Sequence, residues 1–114
     1  MMTENDKITN LEKLSQELRR GILVLAALSQ LEESRYGYAL IERLSQQGLD
    51  IDQGTLYPLL RRLEEQGLLE SEWKLEEARP RRYYKLNENG LKLLQELTQE
   101  WQKISDVMNQ ILKG

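Results

Sequence analysis

Residues 54–73 read GTLYPLLRRLEEQGLLESEW, and this stretch decides the fold. Its leucines recur at spacings of three and four residues, which predicts an α-helix with one apolar face. That face carries Leu56, Leu59, Leu60 and Leu63. Gly67 is a suitable end for the helix, because glycine readily takes the positive φ of a helix C-terminus. Between residues 69 and 74, apolar or small side chains alternate with charged ones, so the helix is expected to lead directly into a β-strand.

The start of this helix, the third in the chain, is open between two positions. Asp52 offers a carboxylate for the exposed N–H groups of a first turn, but Pro58 then lies inside the helix and removes one hydrogen bond. A cap at Gly54 or Thr55 instead places Pro58 in the first turn, where proline costs little. Both starts remain compatible with the sequence.

A second strand is predicted where side chains alternate again over residues 81–86. Residues 74–80 between the two strands are polar and end in Pro80, so we expect a mobile connection at the tip of a β-hairpin. This tip is basic, because residues 79–85 include four cations and no acid. The cations are Arg79, Arg81, Arg82 and Lys85.

Upstream of this region, helical spacing predicts a long first helix with one apolar face. Its apolar positions are Ile8, Leu11, Leu14, Leu18, Ile22, Leu25 and Leu28. Residues 22–28 are all apolar and should be buried on most sides. A short second helix follows and ends at Gly48, with Tyr38 expected in the core.

Downstream, Asn87 is expected to cap a last helix with Gly90 in its first turn. The apolar residues of this helix are spaced alternately by three and four positions, which is the pattern of a heptad seam. They are Leu94, Leu97, Trp101, Ile104, Met108 and Ile111. The predicted fold class is therefore mainly α with a small β-hairpin.

Composition limits the function classes. The chain has 114 residues, a net charge of −3, no cysteine and no histidine, so disulfides, thiolate or imidazole catalysis and the usual zinc sites are excluded. We expect no cofactor, no metal and no enzymatic activity, since no nucleophile–base pair is visible. The longest apolar run, residues 22–28, is too short to span a membrane, and a cytoplasmic protein is expected.

The predicted order of three helices, a hairpin and a further helix is that of a winged helix-turn-helix protein, in which the third helix enters the DNA major groove. Three stretches closely resemble the PadR family of bacterial and archaeal transcriptional regulators, over about residues 18–112. They are YGYALIERL at 36–44, GTLYPLLRRLEEQGLLESEW at 54–73 and RRYYKLNENG at 81–90. Asn87 stands where the family usually has threonine, but both residues cap helices.

The single long helix after the hairpin resembles the compact PadR subgroup, whose members dimerise through this helix and the first one. The resemblance implies three segments: residues 1–17 as a dimer contact, 18–86 as the DNA-binding domain and 87–114 as a dimerisation helix. The predicted dimer contacts are Leu11, Leu14, Leu18, Leu94, Leu97, Trp101, Ile104, Met108 and Ile111.

The face of the third helix opposite its leucines can meet DNA. Thr55 and Tyr57 can donate hydrogen bonds near the helix N-terminus, and Arg61 can supply charge. Alternatively, this face is only solvated, with Tyr57 packed over Arg61. The predicted DNA contacts are Tyr36, Gln53, Thr55, Tyr57, Arg61, Arg79, Arg81 and Lys85.

The hairpin cations have two interpretations. They can grip phosphates, or they can solvate the hairpin and pair with its own carboxylates. Arg82 shares a strand face with Tyr84 and is expected to be structural, whereas Arg79, Arg81 and Lys85 should point outward. Those carboxylates belong to Glu70, Glu72, Glu76 and Glu77.

Trp101 also has two interpretations. An indole in a dimer seam usually packs in the interface. Resemblance to family members that sense aromatic compounds implies instead that Trp101, Ile104 and Met108 border a cavity between subunits. A small aromatic or drug-like effector would bind there and weaken the affinity for DNA.

The functional prediction is a homodimer that binds double-stranded DNA at an inverted-repeat operator and represses transcription by occluding a promoter. The alternative is a winged-helix protein-interaction module that does not bind DNA. Its support is the lack of net positive charge on the chain.

Overall fold

The computed structural model describes residues 2–114 and contains four helices and a three-stranded antiparallel sheet. The helices are α1 (Glu4–Ser29), α2 (Gly37–Gln46), α3 (Gln53–Glu65) and α4 (Glu88–Lys113). The strands are β1 (Arg35–Tyr36), β2 (Leu69–Glu76) and β3 (Arg79–Leu86), in the spatial order β1-β3-β2. The predicted fold class is confirmed, and the two-residue β1 is an addition to the predicted hairpin.

The start of α3 is settled by its cap. The Asp52 carboxylate accepts a hydrogen bond of 2.8 Å from the backbone N–H of Thr55, so Asp52 is the N-cap and Pro58 lies inside the helix. The other end is as predicted: Gly67 takes a φ of 81°, and Leu68 N–H donates to the Leu63 carbonyl across it. Both ends of α3 are therefore fixed by short-range contacts of the chain.

The hairpin differs from the prediction, because most of residues 74–80 are strand rather than a mobile connection. Only Glu77 and Ala78 form the turn, both with positive φ (49° and 62°), which matches the twist of the flanking strands. Pro80 is tolerated in β3 because the pair next to it, Glu76 with Arg79, closes the turn. The position where Pro80 lacks an N–H therefore faces away from β2. On that side β1 pairs with β3 only at Tyr83 and Tyr84, so no strand loses a hydrogen bond to Pro80.

The core is built mainly from leucines where α1, α2, α3 and the sheet meet. The four predicted leucines of α3 are all buried. In the apolar run of α1, however, only Ala27 and Leu28 are buried and residues 22–26 are half-buried, so the expectation for this run is too strong. Only one side of α1 packs against the rest of the chain. No other element covers the opposite side of this helix within residues 2–114, so the apolar run stays partly exposed there.

Tyr38 is half exposed, at 50%, and its predicted place in the core is wrong. The buried face of α2 consists of Gly37, Leu40 and Leu44, so the period begins one residue earlier than expected. The Glu42 carboxylate beside the Tyr38 hydroxyl raises the pKa of Tyr38 above its usual value.

Asn87 links the start of α4 to the segment that follows α3. Its side-chain oxygen accepts from Gly90 N–H at 2.9 Å, and its side-chain nitrogen donates to the Gly67 carbonyl at 2.8 Å. Its backbone N–H donates to the Leu68 carbonyl at 3.2 Å. The cap of α4 is thus bonded directly to the end of α3.

Candidate nucleic-acid interface

The outward face of α3 carries three of the predicted contacts in exposed positions: Gln53, Thr55 and Arg61. Tyr57 is half-buried and packs against the start of α2, where a Cβ on Gly37 would lie 2.3 Å from the Tyr57 ring. Glycine at position 37 therefore allows the Tyr57 ring to approach the backbone of α2 closely. The Asp52 cap satisfies one N–H of the first turn, and this bond to Thr55 holds the pKa of Asp52 below its usual value.

The face of the hairpin that meets α3 is tied to it by one polar cluster. The Arg82 guanidinium donates to Glu64 Oε1 at 2.6 Å and to Ser71 Oγ at 3.1 Å. The Ser71 hydroxyl donates to the other oxygen of Glu64. Arg82 therefore has the structural role that the alternation pattern favoured, and it fixes the hairpin against the last turns of α3.

A second cluster lies on the opposite face of the hairpin and involves Arg81. Its guanidinium is 3.4 Å from Glu76 and stacks over the Tyr36 ring, 4.6 Å from the centroid. The Tyr83 hydroxyl donates to Glu76 as well, and this bond raises the pKa of Tyr83. Arg81 thus does not point freely outward as predicted, because β1 brings Tyr36 to its side of the sheet.

Arg79 and Lys85 are exposed, as predicted, and neither forms an ion pair within residues 2–114. Of the four carboxylates that the sequence offers as pairing partners in the hairpin, Glu76 takes Arg81, and Glu72 lies 3.5 Å from Lys74. The four cations of residues 79–85 thus form two groups. Carboxylates pair with Arg81 and Arg82, whereas the charges of Arg79 and Lys85 are not paired within residues 2–114.

A groove separates the N-terminal half of α3 from the hairpin. It has a volume of about 610 Å³ beside the start of α2 and continues into a smaller one of about 290 Å³ along α3. We call the two together the α3–hairpin groove. Within the described chain, residues 2–114, its lining has four arginines and no acidic residue. The arginines are Arg61, Arg79, Arg81 and Arg82.

The groove brings together six of the eight predicted contacts, whereas Thr55 and Lys85 lie outside its lining. The six are Tyr36, Gln53, Tyr57, Arg61, Arg79 and Arg81. The lining also includes Trp73 and Tyr38, which sequence reasoning did not assign to the interface. The strand alternation that placed Trp73 on the same face as Ser71 was the signal that could have found it.

The predicted dimer contacts lie apart from this groove, on α1 and α4. Most are exposed in the single chain, from 40% for Trp101 to 74% for Leu18. Leu94 differs from the prediction: it is only 8% exposed and belongs to the core of its own chain, because α4 packs its first turns against the domain. Leu97 is half-buried against the same core.

Residues 2–114 contain neither a metal-binding cluster nor a membrane-spanning helix. No group of three or more acidic, histidine or cysteine side chains there is arranged to hold a metal ion. None of the four helices is long and apolar enough to cross a membrane.

Three helices, a hairpin packed on the third of them and a basic groove between the two define the winged helix-turn-helix class of DNA-binding proteins. The comparison with sequence families agrees, since residues 24–96 match the Transcriptional regulator PadR-like family. The chain belongs to the PadR-like family of transcriptional regulators.

Known relatives cover nearly the whole chain. The transcriptional regulator Rv3488 of Mycobacterium tuberculosis is 32% identical over 100 residues, which is 87% of this chain and 91% of that protein. The crystal structure of a PadR family regulator from Eggerthella lenta is 44% identical, with a TM-score of 0.87 over 93% of this chain and 95% of that one. A PadR-like regulator from Bacillus cereus is 32% identical, with a TM-score of 0.75 over 86% of this chain and 98% of that one.

Proposed function

We propose that two copies of this chain bind an inverted-repeat operator in double-stranded DNA and repress transcription by occluding a promoter. The observation that carries the proposal is the α3–hairpin groove, whose lining holds four arginines and no carboxylate in a chain with a net charge of −3. An excess of acid elsewhere together with a basic groove favours an anionic partner at that groove.

The residues in and beside the groove would have different roles in recognition. Gln53 and Thr55 stand at the exposed N-terminus of α3, the part of a recognition helix that reads base edges. Arg61 and Arg79 would hold phosphates on either side of the groove. Lys85 would add a phosphate contact, and Arg81 would add less because Glu76 already offsets its charge.

The dimer is proposed from the exposed apolar side chains of α1 and α4. The exposed leucine, isoleucine and methionine side chains of these two helices leave an apolar patch in water unless a partner covers it. In this arrangement residues 1–17 and 87–114 join the subunits and 18–86 bind DNA, as in the compact PadR subgroup. A two-fold axis between the copies matches the symmetry of an inverted repeat.

Release by an effector is a further part of the proposal. Trp101, Ile104 and Met108 are exposed on α4 and would face their symmetry mates. A flat aromatic molecule between the two indoles would change the separation of the two α3 helices and lower operator affinity. If Trp101 only packs in the interface, aromatic compounds will leave its fluorescence and the affinity for DNA unchanged.

The test begins with capture of genomic fragments by the purified protein at low ionic strength, followed by sequencing of the bound DNA. Enrichment of fragments that share an inverted repeat upstream of a gene is expected. Indifference to all fragments would contradict the proposal and favour a protein-interaction module, the second candidate, whose support is the net negative charge.

A salt titration of operator binding then tests the residue roles. Arg61→Ala and Arg79→Ala should each weaken binding and reduce the slope of log affinity against log salt by about one. Arg62→Ala is the matched control, because Arg62 is also an exposed arginine of α3 but does not line the groove. Equal slopes for all three variants would overturn the assignments of Arg61 and Arg79.

A further inference from the structure

The α3-facing side of the hairpin continues beyond the core as an apolar ridge. Leu69 and Ser71 begin this face under α3, and Trp73 and Leu75 follow on the same side of β2. Pro80 lies opposite Leu75 across the hairpin. Trp73 is 65% exposed and Leu75 76% exposed, so two large apolar side chains stand in water at the distal end of the sheet.

The position of the ridge shows what kind of partner would cover it. Trp73 lines both parts of the α3–hairpin groove, and Pro80 lines the larger part. The Arg82 guanidinium lies over the Trp73 ring, 5.7 Å from the centroid, and Arg61 lines the same part of the groove as Trp73. The ridge is therefore an apolar strip beside two arginines, of which Arg82 is paired with Glu64 and Arg61 is not paired within residues 2–114, and the adjoining groove lining includes no carboxylate.

A strip of this composition matches the backbone of a DNA duplex. The backbone presents C–H surfaces of deoxyribose between anionic phosphates, so an apolar side chain between two cations meets sugar while the cations meet phosphate. Arg82 is paired with Glu64, but Arg61 forms no ion pair within residues 2–114, and a partner protein with an apolar face would leave Arg61 desolvated and unpaired, which is costly. The continuity of the ridge with the basic groove also favours the same partner for both.

We propose that Trp73 and Leu75 pack against the deoxyribose surface of the bound duplex and supply a part of the affinity that does not depend on charge. The proposal rests on the proposed DNA-binding function and adds to it a contact that no cation makes. Such a contact releases no counterion, so it contributes equally at all salt concentrations.

The first test separates this contact from the phosphate contacts by a salt titration. Trp73→Ala is expected to weaken operator binding about tenfold at every salt concentration, with an unchanged slope. Trp73→Phe keeps an aromatic ring and should lose less. Gln46→Ala is the control, because it removes an exposed side chain of α2 outside the groove and outside the proposed dimer segments, and it should leave the affinity unchanged.

The outcomes are distinguishable. A smaller slope for Trp73→Ala would show that the variant acts through the charge of Arg82, and an unchanged affinity would show no contact; either result overturns the proposal. If the unmodified protein binds no DNA, the proposed function itself fails. A loss of affinity in Trp73→Ala with the slope retained supports the sugar contact.

The second test keeps the native side chain and uses fluorine NMR of protein labelled with 5-fluorotryptophan. The chain has two tryptophans, and the Trp73→Phe variant assigns their resonances. The Trp73 signal should shift between H₂O and D₂O in the free protein and lose this shift when operator DNA binds. Protection already present without DNA would show that a second copy covers the ridge, and a persistent shift in the complex would show an uncovered ring; both contradict the proposal.

Discussion

At the scale of single residues, Glu76 organises the outer face of the hairpin. Its carboxylate accepts the Tyr83 hydroxyl and pairs with Arg81, while the Tyr36 ring meets Tyr83 edge-on at 5.3 Å between centroids. One acidic residue thus holds an arginine and a tyrosine that would otherwise face solvent. In the free protein, the Glu76 carboxylate therefore already offsets part of the charge of Arg81.

We expect Tyr83 to ionise above its ordinary pKa of 10.0, because its hydroxyl is bonded to the Glu76 carboxylate. The Glu76→Gln variant removes the negative charge and should lower the pKa of Tyr83 toward that value. An NMR titration of the tyrosine ring carbons follows the ionisation of each of the five tyrosines separately, including Tyr83. Glu77→Gln, at the neighbouring turn position, is the control and should leave Tyr83 unchanged.

The direction of the pH effect on stability follows from the raised pKa. Folded protein holds the phenolic proton more tightly than the unfolded chain, so this contribution is complete below pH 10.0 and is lost as the pH rises through the raised pKa. A Tyr83 that titrates at its ordinary value in the intact protein would contradict the bond to Glu76.

Residue-scale features were predictable only where a pattern spans several positions. The alternation of β3 was enough to separate Arg82 from Arg79, because it places them on opposite faces. The pairing of Arg81 with Tyr36 was not predictable, since it depends on a two-residue strand from a distant part of the chain. The exposure of Tyr38 was missed because Tyr38 and Gly37 fit the helical period almost equally well.

At the scale of elements, two glycines in long helices have opposite roles. Gly21 in α1 has nothing within 4 Å of the position of a Cβ, whereas a Cβ on Gly90 in α4 would lie 2.2 Å from the Leu68 carbonyl oxygen. Gly90 therefore allows the close approach of α4 to the end of α3, and Gly21 serves no such contact in the chain.

Substitution of these glycines by alanine should change stability in opposite directions. Gly90→Ala forces α4 away from Leu68 and is expected to lower the free energy of unfolding by ~1–3 kcal/mol. Gly21→Ala restricts the unfolded chain and favours helix, so it should raise that energy by ~0.5–1 kcal/mol. Urea denaturation at one fixed protein concentration measures both, and a change of the same sign in the two variants would contradict this account.

The elements themselves were largely predictable, because the leucine period and Gly67 define α3 and the alternation defines both hairpin strands. The start of α3 was not, since the cost of Pro58 inside a helix had to be weighed against the bond from Asp52. The turn of the hairpin was also missed, because Glu77 and Ala78 are not residue types that signal positive φ.

At the scale of the whole molecule, the exposed side chains of α1 and α4 predict assembly. Ile111 is 64% exposed in the single chain, so a charge at this position should cost the isolated fold little. In the proposed dimer the same charge would be buried without a partner, and burial of an unpaired charge is strongly unfavourable. The two states of the protein thus respond differently to one substitution.

We expect Ile111→Glu to raise the dimer dissociation constant at least about tenfold and to weaken operator binding in parallel, with helix content retained. Sedimentation equilibrium measures the assembly, and circular dichroism measures the helix content. Gln110→Glu introduces the same charge at the adjacent exposed position and is the control. Equal dissociation constants for the two variants would place the subunit contact elsewhere.

The bonds made by Asn87 have a mechanical consequence. α4 has 26 residues and is therefore about 39 Å long, with its fixed end at Asn87. This residue is bonded to Gly67 and Leu68, which lie between α3 and β2, and the first turns of α4 also pack on the core through Leu94 and Leu97. In the proposed dimer, a tilt of the distal part of α4 would therefore move α3 and the hairpin together, so their orientation toward a bound duplex would change while their spacing within one subunit is kept.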